Sequence, residues 1–179
     1  MKLKDLIERV LISADEIGNE AEYREQLVEA INKVQNKLCV FARNKIKYQP
    51  IKAEDNVIVL PNDCYELIDV INSSLNSVRF MKLNNNQIQV AIDGEYTIKY
   101  KAFLPNITID TEDDFEIDIE PIAEPCMVAG VASWIAIDNP EIYDVLNNEY
   151  NNLLANLSQI PETVSEISNG IERIGGWYW

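Results

Sequence analysis

The residues of this sequence best suited to chemistry are seven carboxylates in the stretch DTEDDFEIDIE, residues 110–120. They are Asp110, Glu112, Asp113, Asp114, Glu116, Asp118 and Glu120. Such a cluster could coordinate calcium or magnesium, and a pair of acids could hydrolyse a glycosidic bond. The stretch lacks the glycine and the ligand spacing of a calcium-binding helix-loop-helix. Over residues 115–119 the acids alternate with apolar residues, which predicts a strand with an acidic solvent-facing side.

Other catalytic signals are missing from the sequence. The chain contains no histidine, so it lacks the commonest general base and the usual catalytic triads. Its 6 glycines form neither a phosphate-binding loop nor a dinucleotide-binding motif. Cys39, Cys64 and Cys126 are odd in number and widely spaced, which favours free thiols in a reducing cytoplasm over disulfides or zinc. We therefore expect no enzyme activity, metal or cofactor.

Charge divides the chain into two unequal halves. The chain has 179 residues, enough for one domain with a hydrophobic core, and a net charge of −15. Residues 1–101 carry 14 Lys and Arg against 15 Asp and Glu, whereas residues 102–179 carry 1 against 15. The acidic second half disfavours nucleic-acid binding through a basic groove. The longest apolar run, residues 126–137, is too short to span a membrane, so we expect no membrane association.

A basic stretch begins within the second predicted helix and continues just beyond it. Its candidate docking residues are Lys33, Lys37, Arg43, Lys45 and Lys47. These residues could form a solvated helix face and the turn after it. Alternatively, they could form a docking patch for an acidic neighbouring surface.

Apolar periodicity predicts an α+β fold in which two N-terminal and two C-terminal helices enclose a small antiparallel β lobe. The predicted helices are 3–14, 21–44, 121–137 and 140–158, and the β lobe is 48–119, all within one domain over residues 1–158. We expect the first two helices to form a hairpin. The apolar seam of the second helix is Leu27, Ile31, Val34, Leu38 and Phe41. Residues 125–137 are apolar nearly all round, which predicts a helix buried on most faces.

The last predicted helix and the strands complete this interpretation. The apolar face of the last helix comprises Ile142, Val145, Leu146, Tyr150, Leu153, Leu154 and Leu157. Runs rich in β-branched and aromatic residues predict strands over 56–61, 64–71, 77–83, 86–92 and 95–104. Asp93-Gly94 stands between the last two runs, a pattern typical of a β-hairpin turn.

Residues 159–179 form a predicted C-terminal docking tail. Ile160, Val164, Ile167, Ile171 and Ile174 recur at steps of three and four, and the chain ends in GGWYW. This apolar stripe could fold back on its own domain or lie on a neighbouring subunit. The candidate docking residues are Ile167, Ile171, Ile174, Trp177, Tyr178 and Trp179.

Four stretches of the sequence resemble the head-to-tail adaptor, or neck ring, proteins of tailed bacteriophages. They are LPNDCYELIDV (60–70), YTIKYKAFLPNIT (96–108), DDFEIDIEPIAEPCMVAGVASWI (113–135) and EYNNLLANL (149–157). The resemblance covers roughly residues 3–157 in order and spacing. It implies a structural virion protein, made in the host bacterial cytoplasm and located in the virion neck.

The resemblance also implies a set of partners. Members of this family form closed rings, commonly of about twelve subunits, that dock on the portal and carry a downstream tail or neck protein. DNA passes through such a ring only as cargo, and Asp113, Asp114, Glu116 and Asp118 become candidates for an acidic lumen. The terminal aromatic residues become candidate anchors on the portal or an adjacent ring.

Two other functions remain open at this point. Another phage ring, such as a tail terminator or stopper, follows the same assembly logic with different neighbours. A small acidic inhibitor that mimics DNA would explain the carboxylate density after Ile107, although residues 1–101 are nearly neutral.

Overall fold

A computed structural model describes residues 1–41 and 45–159 of the chain. The fold is α+β, with two helices before and two helices after an inserted β lobe, as the sequence predicts. The helices are α1 (Leu3–Ser13), α2 (Glu20–Phe41), α3 (Glu124–Ile135) and α4 (Pro140–Gln159), with short 3₁₀ turns at Pro121–Ala123 and Ala136–Asp138. None of the described helices combines the length and hydropathy needed to cross a membrane.

Helix α3 is the centre of the helical layer. It packs against α1, α2 and α4, whereas α1 and α2 scarcely contact each other. The predicted α1–α2 hairpin is therefore wrong as a packing unit. The reason is that α3 is apolar on nearly every side, so each neighbouring helix buries its own apolar seam against α3.

The β lobe consists of two antiparallel three-stranded sheets. Its strands are β1 (Lys45–Ala53), β2 (Val57–Val59), β3 (Cys64–Asn72), β4 (Met81–Asn84), β5 (Gln87–Gln89) and β6 (Gly94–Ala102). The strand orders are β1-β6-β3 and β2-β5-β4. Strand β6 pairs with β1 along its whole length, from Lys45 opposite Ala102 to Ala53 opposite Gly94. Ile58 and Ile88 from one sheet and Ile98 from the other share the core between them.

The Asp93-Gly94 pair is a corner between the two sheets, so the predicted hairpin is wrong. Strand β5 pairs with β2 and β4, and β6 pairs with β1 and β3. Tertiary pairing overrides the local turn signal because β1 and β3 are nine-residue partners for β6, whereas β5 has three residues. The Asp93 carboxylate accepts a hydrogen bond from the backbone N–H of Asn56, which holds the corner.

The chain after β6 returns to the helical layer without forming another strand of either sheet. The Asn32 side chain on α2 donates to the Ile107 carbonyl at 2.7 Å and accepts from the Ile107 N–H at 2.8 Å. Further on, the Leu3 N–H donates to the Phe115 carbonyl at 2.9 Å, and Ile117 is buried in the helical core. The strand predicted over 115–119 is thus an extended segment beside the start of α1, with one isolated bridge between Lys2 and Glu116.

Candidate interaction surfaces

The acidic segment presents its carboxylates to solvent, as its alternating pattern predicts. Asp114, Glu116 and Asp118 are exposed, whereas the intervening Ile117 is buried. This alternation arises because every second side chain of an extended segment points to the same side. The segment therefore contributes apolar residues to the core and acids to the surface.

Two of the four lumen candidates are neutralised by cations of the same chain. Asp113 accepts from Arg24 of α2 at 3.0 Å, and Asp118 forms an ion pair with Lys45 of β1. Asp114 and Glu116 have no ion-pair partner among the described residues. Within the described residues, no group of three carboxylates or thiols converges to hold a metal ion.

The basic candidates do not form one continuous helix face. Lys33 and Lys37 lie on α2, which ends at Phe41, whereas Lys45 and Lys47 lie on strand β1. The interpretation of the whole stretch as a helix face and turn is therefore wrong for the last two lysines. Lys47 pairs with Asp63 at 2.5 Å, and burial, followed by the charge of Lys47, lowers the pKa of Lys45.

Lys33, Lys37, Phe41 and Trp134 form an exposed surface between α2 and the helices that follow the β lobe, which we term the lysine–aromatic face. The Lys33 ammonium lies 4.2 Å from the centre of the Trp134 ring, and the Lys37 ammonium lies 4.9 Å from that of Tyr150. Phe41 is 64% exposed and Trp134 is 45% exposed. Cation–π contacts hold the lysines over aromatic rings, so this face offers positive charge and apolar area together.

A second groove lies between α1 and α4, and we term it the carboxyl groove. Its cavity measures about 280 Å³, and its lining includes Ile12, Val128, Leu146 and Glu149. Ile12 is 54% exposed, and Val145, one residue before Leu146, is 66% exposed. Arg9 at the rim is paired with Glu124 at 3.1 Å, whereas Glu149 has no ion-pair partner in the described ranges. The groove thus combines apolar area with an uncompensated negative charge.

Strand β4 is a third exposed surface, at the edge of its sheet. All four of its residues, Met81–Asn84, are exposed, and Phe80 before it is also exposed. Arg79 and Lys82 have no ion-pair partner within residues 1–41 and 45–159. The observed strand β4, Met81–Asn84, is shorter than the strand predicted over 77–83 and begins later.

Sequence reasoning missed the apolar residues that the fold leaves in solvent. Phe41, Trp134 and Val145 belong to seams or faces predicted to be buried, yet each is exposed. For Phe41 and Val145 the signal in the sequence was a position at the margin of an apolar stripe, whereas α3 is apolar on nearly every side and gives no such signal for Trp134. Such marginal residues become binding surface when no neighbouring element covers them.

The cysteines are unsuited to nucleophilic catalysis. Cys39 and Cys126 are buried, and Cys64 is half-buried. Burial raises the pKa of Cys126 to about 11 and raises the pKa of Cys39 and Cys64 as well. Because the reactive form of a thiol is the thiolate, this rise in pKa lowers the nucleophilicity of all three thiols.

Several predicted docking residues lie outside the described residues. They are Arg43, Ile167, Ile171, Ile174, Trp177, Tyr178 and Trp179. Comparison of the chain with models of known protein families and with curated protein sequences finds no match.

Proposed function

We propose that this chain is a structural subunit of a homo-oligomeric ring, the head-to-tail adaptor of a tailed bacteriophage. The observation that carries the proposal is the exposure of large apolar side chains on separate sides of the subunit. In this proposal about twelve copies form a ring in the virion neck, between the portal and a downstream tail or neck protein. The subunit is made in the host bacterial cytoplasm.

Exposed apolar area supports an assembling subunit better than a free monomer. The lysine–aromatic face and strand β4 each contain at least two large exposed apolar residues, and Ile12 in the carboxyl groove is exposed as well. A monomeric protein rarely leaves several such surfaces in water, because covering them releases hydration free energy. A subunit with two neighbours, a portal below and a tail above needs several contact surfaces.

The distribution of charge is compatible with DNA as passing cargo. Residues 102–179 contain a single cation, Arg173, against 15 Asp and Glu. Asp114 and Glu116 keep their charge uncompensated on the surface, so they would repel DNA phosphates if they faced the ring lumen. Asp113 and Asp118 contribute less to such a field, because Arg24 and Lys45 neutralise them.

One of the two alternatives is less favoured by the same surfaces. A DNA-mimic inhibitor needs a continuous run of uncompensated carboxylates, whereas two of the four candidate acids here are paired with cations. A tail terminator or stopper would use similar ring contacts, and only its neighbours distinguish it from an adaptor.

Electron microscopy of this protein mixed with the portal protein encoded beside it tests the proposal. We expect added density on one end of the portal ring, absent from the portal alone. A chain that stays monomeric and leaves the portal unchanged at micromolar concentrations would contradict the proposal. A DNA-processing enzyme inhibited by the chain would then favour the DNA mimic.

The same assay tests the predicted terminal anchor. Deletion of residues 175–179 removes Trp177, Tyr178 and Trp179, and we expect it to reduce portal binding at unchanged thermal stability of the free chain. The matched control is Arg173→Ala, which leaves all three aromatic residues in place. A deletion that lowers the melting temperature of the free chain by several degrees would instead indicate packing against its own domain.

A further inference from the structure

We propose that neighbouring copies of this chain join head to tail, the lysine–aromatic face of one copy covering the carboxyl groove of the next. The inference rests on the proposed ring function and identifies the surfaces by which the ring closes. Its occupant is a second copy, and three features of the described residues support it.

The two surfaces lie on opposite sides of the helical layer. Trp134 belongs to the lysine–aromatic face, and Pro125 lines the carboxyl groove. Both residues lie on α3 and are nine positions apart, which is two and a half turns of an α-helix. Their side chains therefore point in opposite directions from the central helix, as the two flanks of a ring subunit must.

The chemistry of the two surfaces is complementary. Lys33 and Lys37 give one surface positive charge, although Lys33 also contacts Glu29 at 2.6 Å. Glu149 gives the other surface an uncompensated negative charge, and helix α4 contains no Lys or Arg. Phe41 and Trp134 on one side, and Ile12 on the other, supply exposed apolar area that the contact would remove from water.

Both surfaces stand at the same level along α4. Lys37 lies over the ring of Tyr150, and Glu149 is the residue immediately before Tyr150. A contact between them therefore moves each copy sideways with little shift along the axis of α4. A heterologous contact without axial shift closes into a ring when each copy is also rotated by a fixed angle about an axis parallel to α4, and we infer such a rotation for this contact.

Disulfide crosslinking between copies tests the inference. In a Cys64→Ser background, Lys37→Cys and Glu149→Cys are made in separate chains, and Cys39 and Cys126 remain buried. We expect oxidised dimers when the two variants are mixed, and none when either is oxidised alone. The double variant should give a ladder of higher oligomers. The control mixes Lys37→Cys with Glu95→Cys, an exposed carboxylate of the β lobe, and should give no dimer.

Charge exchange supplies a second measurement. Lys37→Glu and Glu149→Lys should each lower the assembled fraction roughly tenfold, because like charges then meet at every contact. The two substitutions in one chain should restore assembly, because every contact then regains an opposite pair. Circular dichroism of each variant verifies that the fold is kept.

The outcomes separate this inference from the proposed function. Crosslinking of Lys37→Cys with itself would indicate a two-fold contact and overturn the head-to-tail arrangement. Rings on the portal without the mixed crosslink would overturn the contact and leave the adaptor function standing. The crosslinking is run both with the portal protein and on this chain without it, at high concentration. Absence of the mixed dimer there, together with absence of portal-bound rings, would overturn both.

Discussion

Gly130 on α3 is a residue at which a single hydrogen atom in place of a side chain sets the distance between helices. A Cβ atom at this position would lie 2.7 Å from the Tyr150 ring of α4 and 3.0 Å from Val34 of α2. Such distances are shorter than van der Waals contact. The Tyr150 ring is buried and cannot withdraw freely, so glycine is required for the three helices to meet.

We expect Gly130→Ala to destabilise the chain by about 1–3 kcal/mol, although alanine is the better helix former. The measurement is the free energy of unfolding in urea. Tyr150→Leu combined with Gly130→Ala should cost less than the sum of the two single substitutions, because the clash is removed. Equal or higher stability of Gly130→Ala would show that the ring has room to move.

At the scale of elements, β6 is the strand on which the β lobe depends. It pairs on both edges, with β1 and β3, and its side chains alternate between the core and the opposite sheet face. Tyr96, Ile98, Tyr100 and Ala102 are its buried residues. Burial, then the charge of Asp63, raises the pKa of Tyr100 to about 12, so its hydroxyl stays protonated at neutral pH. The buried residues of the lobe form a hydrophobic core separate from that of the helices.

Ile98→Ala should lower the free energy of unfolding by about 2–4 kcal/mol, because it leaves a cavity where the side chain is fully buried. The matched control is Ile46→Ala on the neighbouring strand β1, where the side chain is 40% exposed. We expect the control to cost less than about 1 kcal/mol. Similar losses for the two variants would argue against a distinct core in the lobe.

At the scale of the whole molecule, the acidic half of the sequence is partly compensated by the other half. Arg9, Arg24 and Lys45 come from residues 1–101 and pair with Glu124, Asp113 and Asp118 of residues 102–179. These contacts join α1, α2 and β1 to the segment 113–124, which follows the β lobe. Among the described residues of this half, the acids without an ion pair include Asp110, Glu112, Asp114 and Glu116, together with the acids of α4.

Under the proposed adaptor function, Asp114→Asn with Glu116→Gln in assembled virions should slow DNA ejection roughly twofold, because phosphates would meet less repulsion at the ring wall. The measurement is DNA release in vitro, followed with a fluorescent dye. The control pair, Asp55→Asn with Glu95→Gln, neutralises two exposed acids of the β lobe and should leave the rate unchanged. An unchanged rate for the first pair would count against an acidic lumen.

Apolar periodicity was enough to predict the elements whose pattern is strong and local. The four helices begin and end within three residues of their predicted bounds. The differences at α3 are the 3₁₀ turns on either side of it. The acidic segment alternates between buried and exposed residues, as expected. The positions of these elements follow from periodicity, because the side chains that must be buried recur at the period of one regular structure. The absence of histidine likewise excluded histidine as a general base and the usual catalytic triads before any fold was known.

Which elements pack against each other depends on long-range contacts that the local patterns do not show. Asp93-Gly94 has the local pattern of a hairpin turn, yet β5 and β6 belong to different sheets. Phe41, Trp134 and Val145 are apolar and regularly spaced, yet they remain in solvent. Strand partners and the edge of a buried face depend on residues distant in sequence, and local patterns carry no information about those residues. The interaction surfaces therefore emerge only when the helices and sheets are packed together.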